Sequence, residues 1–127
     1  MQGNKVYLSG PAWLMQYDCD VFNTIVGMFK GGEGKVVVTA DQIYEAMHSG
    51  QNPTLNELAA IIQSVRKLAQ FQQRVPEMLE YDVGPWLFPV QVVIAGSGLG
   101  FSIQKPYLKR IDLSEIVYCG GKTEIFW

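Results

Sequence analysis

The chain has 127 residues, of which 48% are hydrophobic and 17% are charged, and its formal net charge at pH 7 is −2. This length fits one domain (residues 1–127), because a single core commonly fills about 100–200 residues, and the composition excludes a disordered or collagen-like chain. Proteins that bind nucleic-acid phosphates are usually basic, so the slight acidic excess argues against a ligand of that kind.

The first half of the chain predicts a helix, a short strand and a second helix. Apolar residues recur at helical spacing from Tyr17 to Phe29, and Asp18 is the predicted N-cap. The β-branched run Lys35–Val38 predicts a strand. The spacing of Thr39–Gln42 is that of a capping box, which predicts a short helix with the apolar residues Ile43, Tyr44, Ala46 and Met47.

A second capping box, Thr54–Glu57, predicts the longest helix, from Leu55 to about Gln72. One face of this helix is apolar, and we expect it to line the core beside Phe22, Ile25 and Phe29; its members are Leu58, Ile61, Ile62, Val65 and Leu68. The alternating segment Met78–Tyr81 predicts a strand, and Leu113–Tyr118 predicts a closing short helix or strand.

Residues 83–104 contain no charge and are numerous enough to cross a bilayer. Helix formation there is interrupted by Pro85, Pro89, Gly96, Gly98 and Gly100, so we expect no membrane contact. The segment instead predicts a β-hairpin whose strands, Gln91–Ala95 and Leu99–Gln104, flank the turn Gly96-Ser97-Gly98.

The same turn partly resembles the glycine loop that binds dinucleotide phosphates. That loop has the pattern G-x-G-x-x-G and opens a helix. Here Gly96 and Gly98 fit, but Phe101 occupies the third position and Pro106 leaves no room for the helix. We therefore expect no nucleotide and no other cofactor.

The predicted order is helix, strand, helix, turn, helix and β-hairpin. Two helices joined by a tight turn form a helix-turn-helix, and a hairpin that follows would be its wing. The predicted fold class is therefore α+β, in the form of a winged helix-turn-helix with three helices and a hairpin wing. The alternative is a generic α+β domain with the same elements packed differently.

Several fragments support the same fold by resemblance. They are YDCDVFNTIVGMFK, VTADQIYEAMHSG, LNELAAIIQSVRKLAQF, WLFPVQVV and FSIQKPYL. This pattern resembles winged-helix proteins, similar to replication initiators, of phages and conjugative elements of Gram-positive bacteria. The resemblance spans roughly residues 17–110, and it implies a DNA-binding module of a mobile genetic element that acts in replication or transcription control.

The residues that catalysis would require are scarce. The single histidine, His48, stands where a helix C-terminus favours a cation, and neighbouring carboxylates oppose ionisation of Cys19. Cys19 and Cys119 belong to no CxxC motif, so no Cys/His metal site is expected. Two lone thiols and the absence of a signal-peptide pattern indicate the cytoplasm of a host cell, with a Cys19–Cys119 disulfide as the alternative. We expect a protein that is not an enzyme.

The polar face of the longest helix and the residues after it supply the predicted site for double-stranded DNA. These residue types contact base edges and phosphates, and they are Asn56, Gln63, Ser64, Arg66, Lys67, Gln70 and Arg74. Asp41, Glu45 and Glu57 lie on or before this helix and would repel phosphates. A polar face is also what any solvated helix shows.

The competing hypothesis is a protein-binding module, such as an anti-CRISPR or other anti-defence inhibitor that blocks a host nuclease. A mildly acidic surface fits a protein that occupies a nucleic-acid groove. The candidate partner-binding residues are Glu77, Glu80, Asp82, Trp86 and Phe88, although the two aromatics could equally be core or wing residues. The C-terminal TEIFW is hard to bury, which suggests either contact between copies, as in a homodimer, or pairing as a strand.

Overall fold

The computed structural model of the protein describes residues 6–10, 12–31, 34–74, 87–95, 98–106 and 108–118. Within these residues the fold is α+β, with three α-helices and two three-stranded sheets. The helices are α1 (Gln16–Val26), α2 (Ala40–Met47) and α3 (Leu55–Leu68). The strands are β1 (Val6–Ser9), β2 (Lys35–Thr39), β3 (Gln72–Arg74), β4 (Val90–Ala95), β5 (Gly98–Gln104) and β6 (Ile116–Tyr118), and a 3-10 turn at Leu113–Glu115 precedes β6.

Helices α2 and α3 begin at the two predicted capping boxes. The Thr39 hydroxyl accepts from the Gln42 amide at 3.2 Å, and the Gln42 side chain accepts from the Thr39 amide at 2.9 Å. Thr54 and Glu57 make the equivalent pair at 3.1 and 2.8 Å. Each box satisfies amides that the first turn of a helix leaves without a partner, which fixes where each helix starts.

Three helix boundaries differ from prediction, and the first is the end of α1, which lies at Val26 instead of Phe29. Helix α1 is capped by Met15, and Asp18 is its third residue, with a carboxylate that accepts from the Met15 amide at 2.9 Å. The predicted N-cap at Asp18 was therefore wrong, because an acidic side chain at this position reaches back to the cap amide instead of replacing the cap. Helix α3 ends at Leu68 rather than near Gln72, because Gln72 begins strand β3.

The predicted hairpin is confirmed in its strands. β4 and β5 pair antiparallel with Val92 opposite Phe101, and β2 pairs antiparallel with the other edge of β5, which gives the order β2-β5-β4. The central residues of the predicted turn, 96–97, lie outside the described residues. The three helices and this antiparallel sheet are consistent with a winged-helix-like layout.

The second sheet was not predicted. Its central strand β1 pairs antiparallel with β3 and parallel with β6, so it joins the start of the described chain to its end. The four-residue β1 and three-residue β3 and β6 are too short to show a periodic pattern. The strand predicted at Met78–Tyr81 lies outside the described residues.

The apolar faces of α1 and α3 meet in the core as expected. Ile61, Val65 and Leu68 of α3 are fully buried in one cluster with Phe22 and Ile25 of α1. The other predicted core residues, Leu58, Ile62 and Phe29, are half-buried and pack against this cluster. The core thus holds α3 by one face and leaves the opposite face of the helix toward solvent.

Candidate functional site

The exposed face of α3 brings four of the predicted site residues together. Asn56, Gln63, Arg66 and Gln70 all lie at exposed positions, and their spacing of three, four or seven residues places them along one side of the helix. The Gln70 side-chain amide donates to the Arg66 carbonyl at 3.3 Å, which continues this row beyond the end of α3. The row contains a single charge, the Arg66 guanidinium.

Ser64 and Lys67 were predicted on this face, and the structure places both against Asp18 of α1. Ser64 is 3% exposed, and its hydroxyl donates to Asp18 Oδ1 at 2.5 Å. The Lys67 ammonium lies 2.7 Å from Asp18 Oδ2 in an ion pair. The prediction that Ser64 contacts a ligand from an exposed face was wrong, because Asp18 is buried between the helices and requires donors. The Lys67 side chain remains 26% exposed, so its part in a binding surface stays a prediction.

The carboxylate of Asp18 is the polar centre of the contact between α1 and α3. Burial alone would raise its pKa, but hydrogen bonds from Lys67, Ser64 and the Met15 amide outweigh burial and hold the pKa below its ordinary value. The group is therefore ionised at neutral pH. The role of Asp18 is structural. The Ser64 hydroxyl donates a hydrogen bond to the carboxylate and is too buried to contact a substrate.

The remaining predicted residues do not join the face of α3. Arg74 lies in β3, whose backbone pairs with β1 in the second sheet. Phe88, a candidate partner-binding residue, is fully buried, with its ring centroid 5.3 Å from that of Phe22. Its assignment as an interface residue was wrong, because a side chain without exposed surface cannot anchor a partner. Glu77, Glu80, Asp82 and Trp86 lie outside the described residues.

Beside the row on α3 runs an apolar groove that the sequence did not predict. It has a volume of about 380 Å³, and its walls are Leu58 and Ile62 of α3, Leu99 at the start of β5 and residues 39–41 at the start of α2. Leu99 is 64% exposed. The sequence does contain an indication of this exposed leucine. Leu99 continues the apolar alternation of Phe101 and Ile103 along β5, but only Phe101 and Ile103 are buried in the core.

A second polar cluster lies where α3 begins. The Tyr44 hydroxyl donates to Glu57 Oε2 at 3.1 Å, and the rings of Tyr44 and His48 lie 4.6 Å apart. The pKa of Glu57 is lowered, first by the hydrogen bond from the Thr54 amide and further by the Tyr44 hydroxyl. These contacts use Glu57 as a helix cap and connect α2 to α3. His48 is the C-cap residue of α2, as its position in the sequence predicted.

Within the described residues, the thiol and carboxylate groups do not form a metal site. Cys19 is a buried free cysteine, and burial together with nearby carboxylates raises its pKa to about 11. No cluster of three potential metal ligands occurs in this part of the chain. None of the helices described there is long and apolar enough to cross a membrane.

Comparison of the chain with protein-family models, with curated proteins and with solved structures gives no match. The candidate site therefore stands on its geometry: a row on α3 with one charge, beside a groove whose lining combines leucine and isoleucine with Thr39 and Asp41.

Proposed function

We propose that this chain is a winged helix-turn-helix protein of a mobile genetic element that acts by binding and not by catalysis. Apart from the strands of the second sheet, the order is α1, β2, α2, α3, β4, β5. This order supports the proposal, because a wing follows the second helix of the motif in such proteins. The sheet order β2-β5-β4 gives additional support, since it joins the strand between the first two helices to the hairpin. In this assignment α3 is the second helix of the motif, and β4 and β5 form the wing.

We propose that the ligand is a protein, and the composition of the surface beside α3 carries this choice. Residues 87–104, which include the whole wing, contain no charged residue. The row on α3 offers one guanidinium, because Lys67 is paired with Asp18. A surface that binds DNA gains most of its affinity from several cations at phosphates. An apolar groove with a polar border is instead typical of protein recognition.

An affinity capture with matched variants tests this surface. The bait is the full chain in lysate of cells that carry a defence system, since an anti-defence inhibitor is the specific form of the proposal. Leu99→Asp places a charge in the groove and should abolish capture of any partner that uses it. Val37→Asp is the control, because Val37 is 51% exposed on β2 and pairs with Ser102 on the other face of the sheet. Equal capture by both variants would refute the groove as the binding surface.

Double-stranded DNA is the second candidate ligand, and the row on α3 is the observation that favours it. Gln63, Arg66 and Gln70 are residue types that contact base edges and phosphates. Fluorescence anisotropy with duplex DNA at about 50 mM salt decides between the ligands. We expect no binding. Binding that Arg66→Ala weakens, with a salt slope reduced by about 0.9, would instead establish the DNA-binding candidate.

A further inference from the structure

Strand β4 is an edge strand without the features that usually protect such edges. Within the described residues the sheet order β2-β5-β4 leaves one side of β4 without a paired strand. Natural proteins protect such an edge with a lysine, a proline, a bulge or a very short strand. β4 has six residues, VQVVIA, with no charge and no proline, and its register with β5 is continuous.

The hydrogen-bond pattern shows which residues offer free backbone groups. The Gln104 amide donates to the Pro89 carbonyl at 3.0 Å, so this pair is a hydrogen-bonded pair of the antiparallel ladder. Such pairs alternate with pairs whose N–H and C=O groups point away from the partner strand. The alternation directs the backbone groups of Val90, Val92 and Ile94 away from β5, toward the edge of the sheet.

The same three residues are apolar, and two of them, Val92 and Ile94, are exposed. They lie two positions apart and therefore on one face of the sheet. Val92 is 56% exposed, Ile94 is 82% exposed, and Val90 is half-buried against the core. A strand that pairs with this edge would gain hydrogen bonds and cover apolar surface at the same positions.

We propose that β4 pairs antiparallel with β4 of a second copy of this chain, about a two-fold axis at Val92. In such a pair, each residue whose N–H and C=O groups point outward must lie opposite a residue of the second copy whose groups also point outward. A register centred on Val92 gives this arrangement. Val92 lies opposite Val92 of the second copy, and Val90 lies opposite Ile94. The two sheets become one continuous six-stranded sheet, with the order β2-β5-β4 repeated in reverse.

The second copy is the favoured occupant because the edge is complementary to itself. A charged edge would place like charges opposite each other about the axis, which is unfavourable, whereas residues 87–104 bring no charge. Each hydrogen-bonded pair has apolar side chains in both copies. Two-fold interfaces require this self-complementarity, since the same patch serves both subunits. Ile94 lies opposite Leu99 on the same face of the sheet, so the edge adjoins the groove. The pairing uses the outward backbone groups of β4, so this inference does not depend on the ligand proposed above.

Sedimentation velocity over about 1–200 µM protein tests the proposal, because mass action makes the dimer dependent on concentration. We expect a species of about twice the 14.2 kDa chain mass at the upper concentrations. Val92→Lys places two ammonium groups opposite each other and should weaken the dimer at least tenfold. Val37→Lys is the matched control, since Val37 is an exposed valine of β2, the other edge strand of the sheet.

Oxidative crosslinking checks the register in the same samples. Val92→Cys brings two thiols together at the axis, where the Cα separation of about 5.5 Å in a hydrogen-bonded pair suits a disulfide. Gln91→Cys lies on the opposite face of the sheet, opposite Val93 of the second copy, and should crosslink far less. Far-UV circular dichroism verifies that each variant is folded. A monomer throughout the concentration range would overturn the proposal, as would a dimer that Val37→Lys disrupts and Val92→Lys does not.

Discussion

Replacing Asp18 by asparagine removes one charge from the contact between α1 and α3 while its size is kept. The buried carboxylate accepts from Ser64, Lys67 and the Met15 amide. An asparagine offers one acceptor oxygen and places an amide donor where a second oxygen stood. The new amide group faces either the Ser64 hydroxyl, which must then accept instead of donate, or the Lys67 ammonium and the Met15 amide, which cannot accept. In both orientations the Lys67 ammonium loses its counter-charge.

The expected cost is about 2–3 kcal/mol in the free energy of unfolding. Breaking a fully buried ion pair costs about 3–5 kcal/mol, but the Lys67 side chain is 26% exposed and can reach water. A hydrogen bond to a charged group contributes about 1.5–3 kcal/mol, which sets the lower part of the range. Asp20→Asn is the matched control, because Asp20 is an exposed residue of the same helix that bonds to the Gln16 side chain. The control should change stability by less than about 0.5 kcal/mol.

Urea denaturation of both variants, followed by circular dichroism, measures these differences across pH. The pKa of Asp18 is lowered in the folded protein from an ordinary value of 3.8. A carboxyl of this kind contributes its stability above that ordinary value and loses it as pH falls through the folded pKa. The deficit of Asp18→Asn should therefore be constant from neutral pH to about pH 5 and shrink below about pH 4. A deficit equal to that of Asp20→Asn, or one unchanged at about pH 2.5, would refute the reasoning.

Three further outcomes follow from the core and its thiol. Leu68→Ala should lower the free energy of unfolding by about 2–5 kcal/mol, because Leu68 is fully buried; a near-neutral value in urea denaturation would mean that α3 is not packed as described. Gly10→Ala should cost about 1–3 kcal/mol, because its Cβ would collide with the buried ring of Phe71. Gly34→Ala, where the Cβ meets no neighbour, is the control in thermal denaturation. Cys19 has a pKa raised to about 11. In a Cys119→Ser variant, which leaves Cys19 as the only thiol, a thiol reagent should therefore not react near neutral pH until urea unfolds the chain. Reaction of this variant in the folded state at the rate of a free thiol would contradict the burial of Cys19.

Sequence patterns predicted the parts of the fold that local physics decides. The capping boxes at Thr39 and Thr54 each join residues three positions apart, so the local sequence is sufficient to locate them. The hairpin strands were also predictable, because alternating apolar residues and a glycine turn lie next to each other in the chain. The second sheet was not, since β1 pairs with β6 more than a hundred positions away. Pairing of such short strands is decided by tertiary contacts.

The candidate site was harder to predict for a related reason. Ser64 and Lys67 have the spacing of neighbours on one helix face, and nothing in α3 itself indicates that they turn toward α1. The decisive residue is Asp18, forty-six positions from Ser64, and a buried carboxylate draws any nearby donor toward itself. Phe88 was difficult to place for a different reason. The sequence pattern of an aromatic residue next to a wing is the same whether its side chain is buried or exposed.

The contact around Asp18 also changes which charged groups α3 presents to solvent. By taking Lys67 and Ser64 into the interface with α1, it leaves the exposed row with Arg66 as its one charge. The ion pair stabilises the packing of two helices and at the same time removes a cation from the surface where a winged-helix protein would meet phosphates. Asp18→Asn should release the Lys67 ammonium to solvent. A gain in duplex-DNA binding by this variant would show that packing inside the core, rather than the residues on the surface alone, selects against DNA.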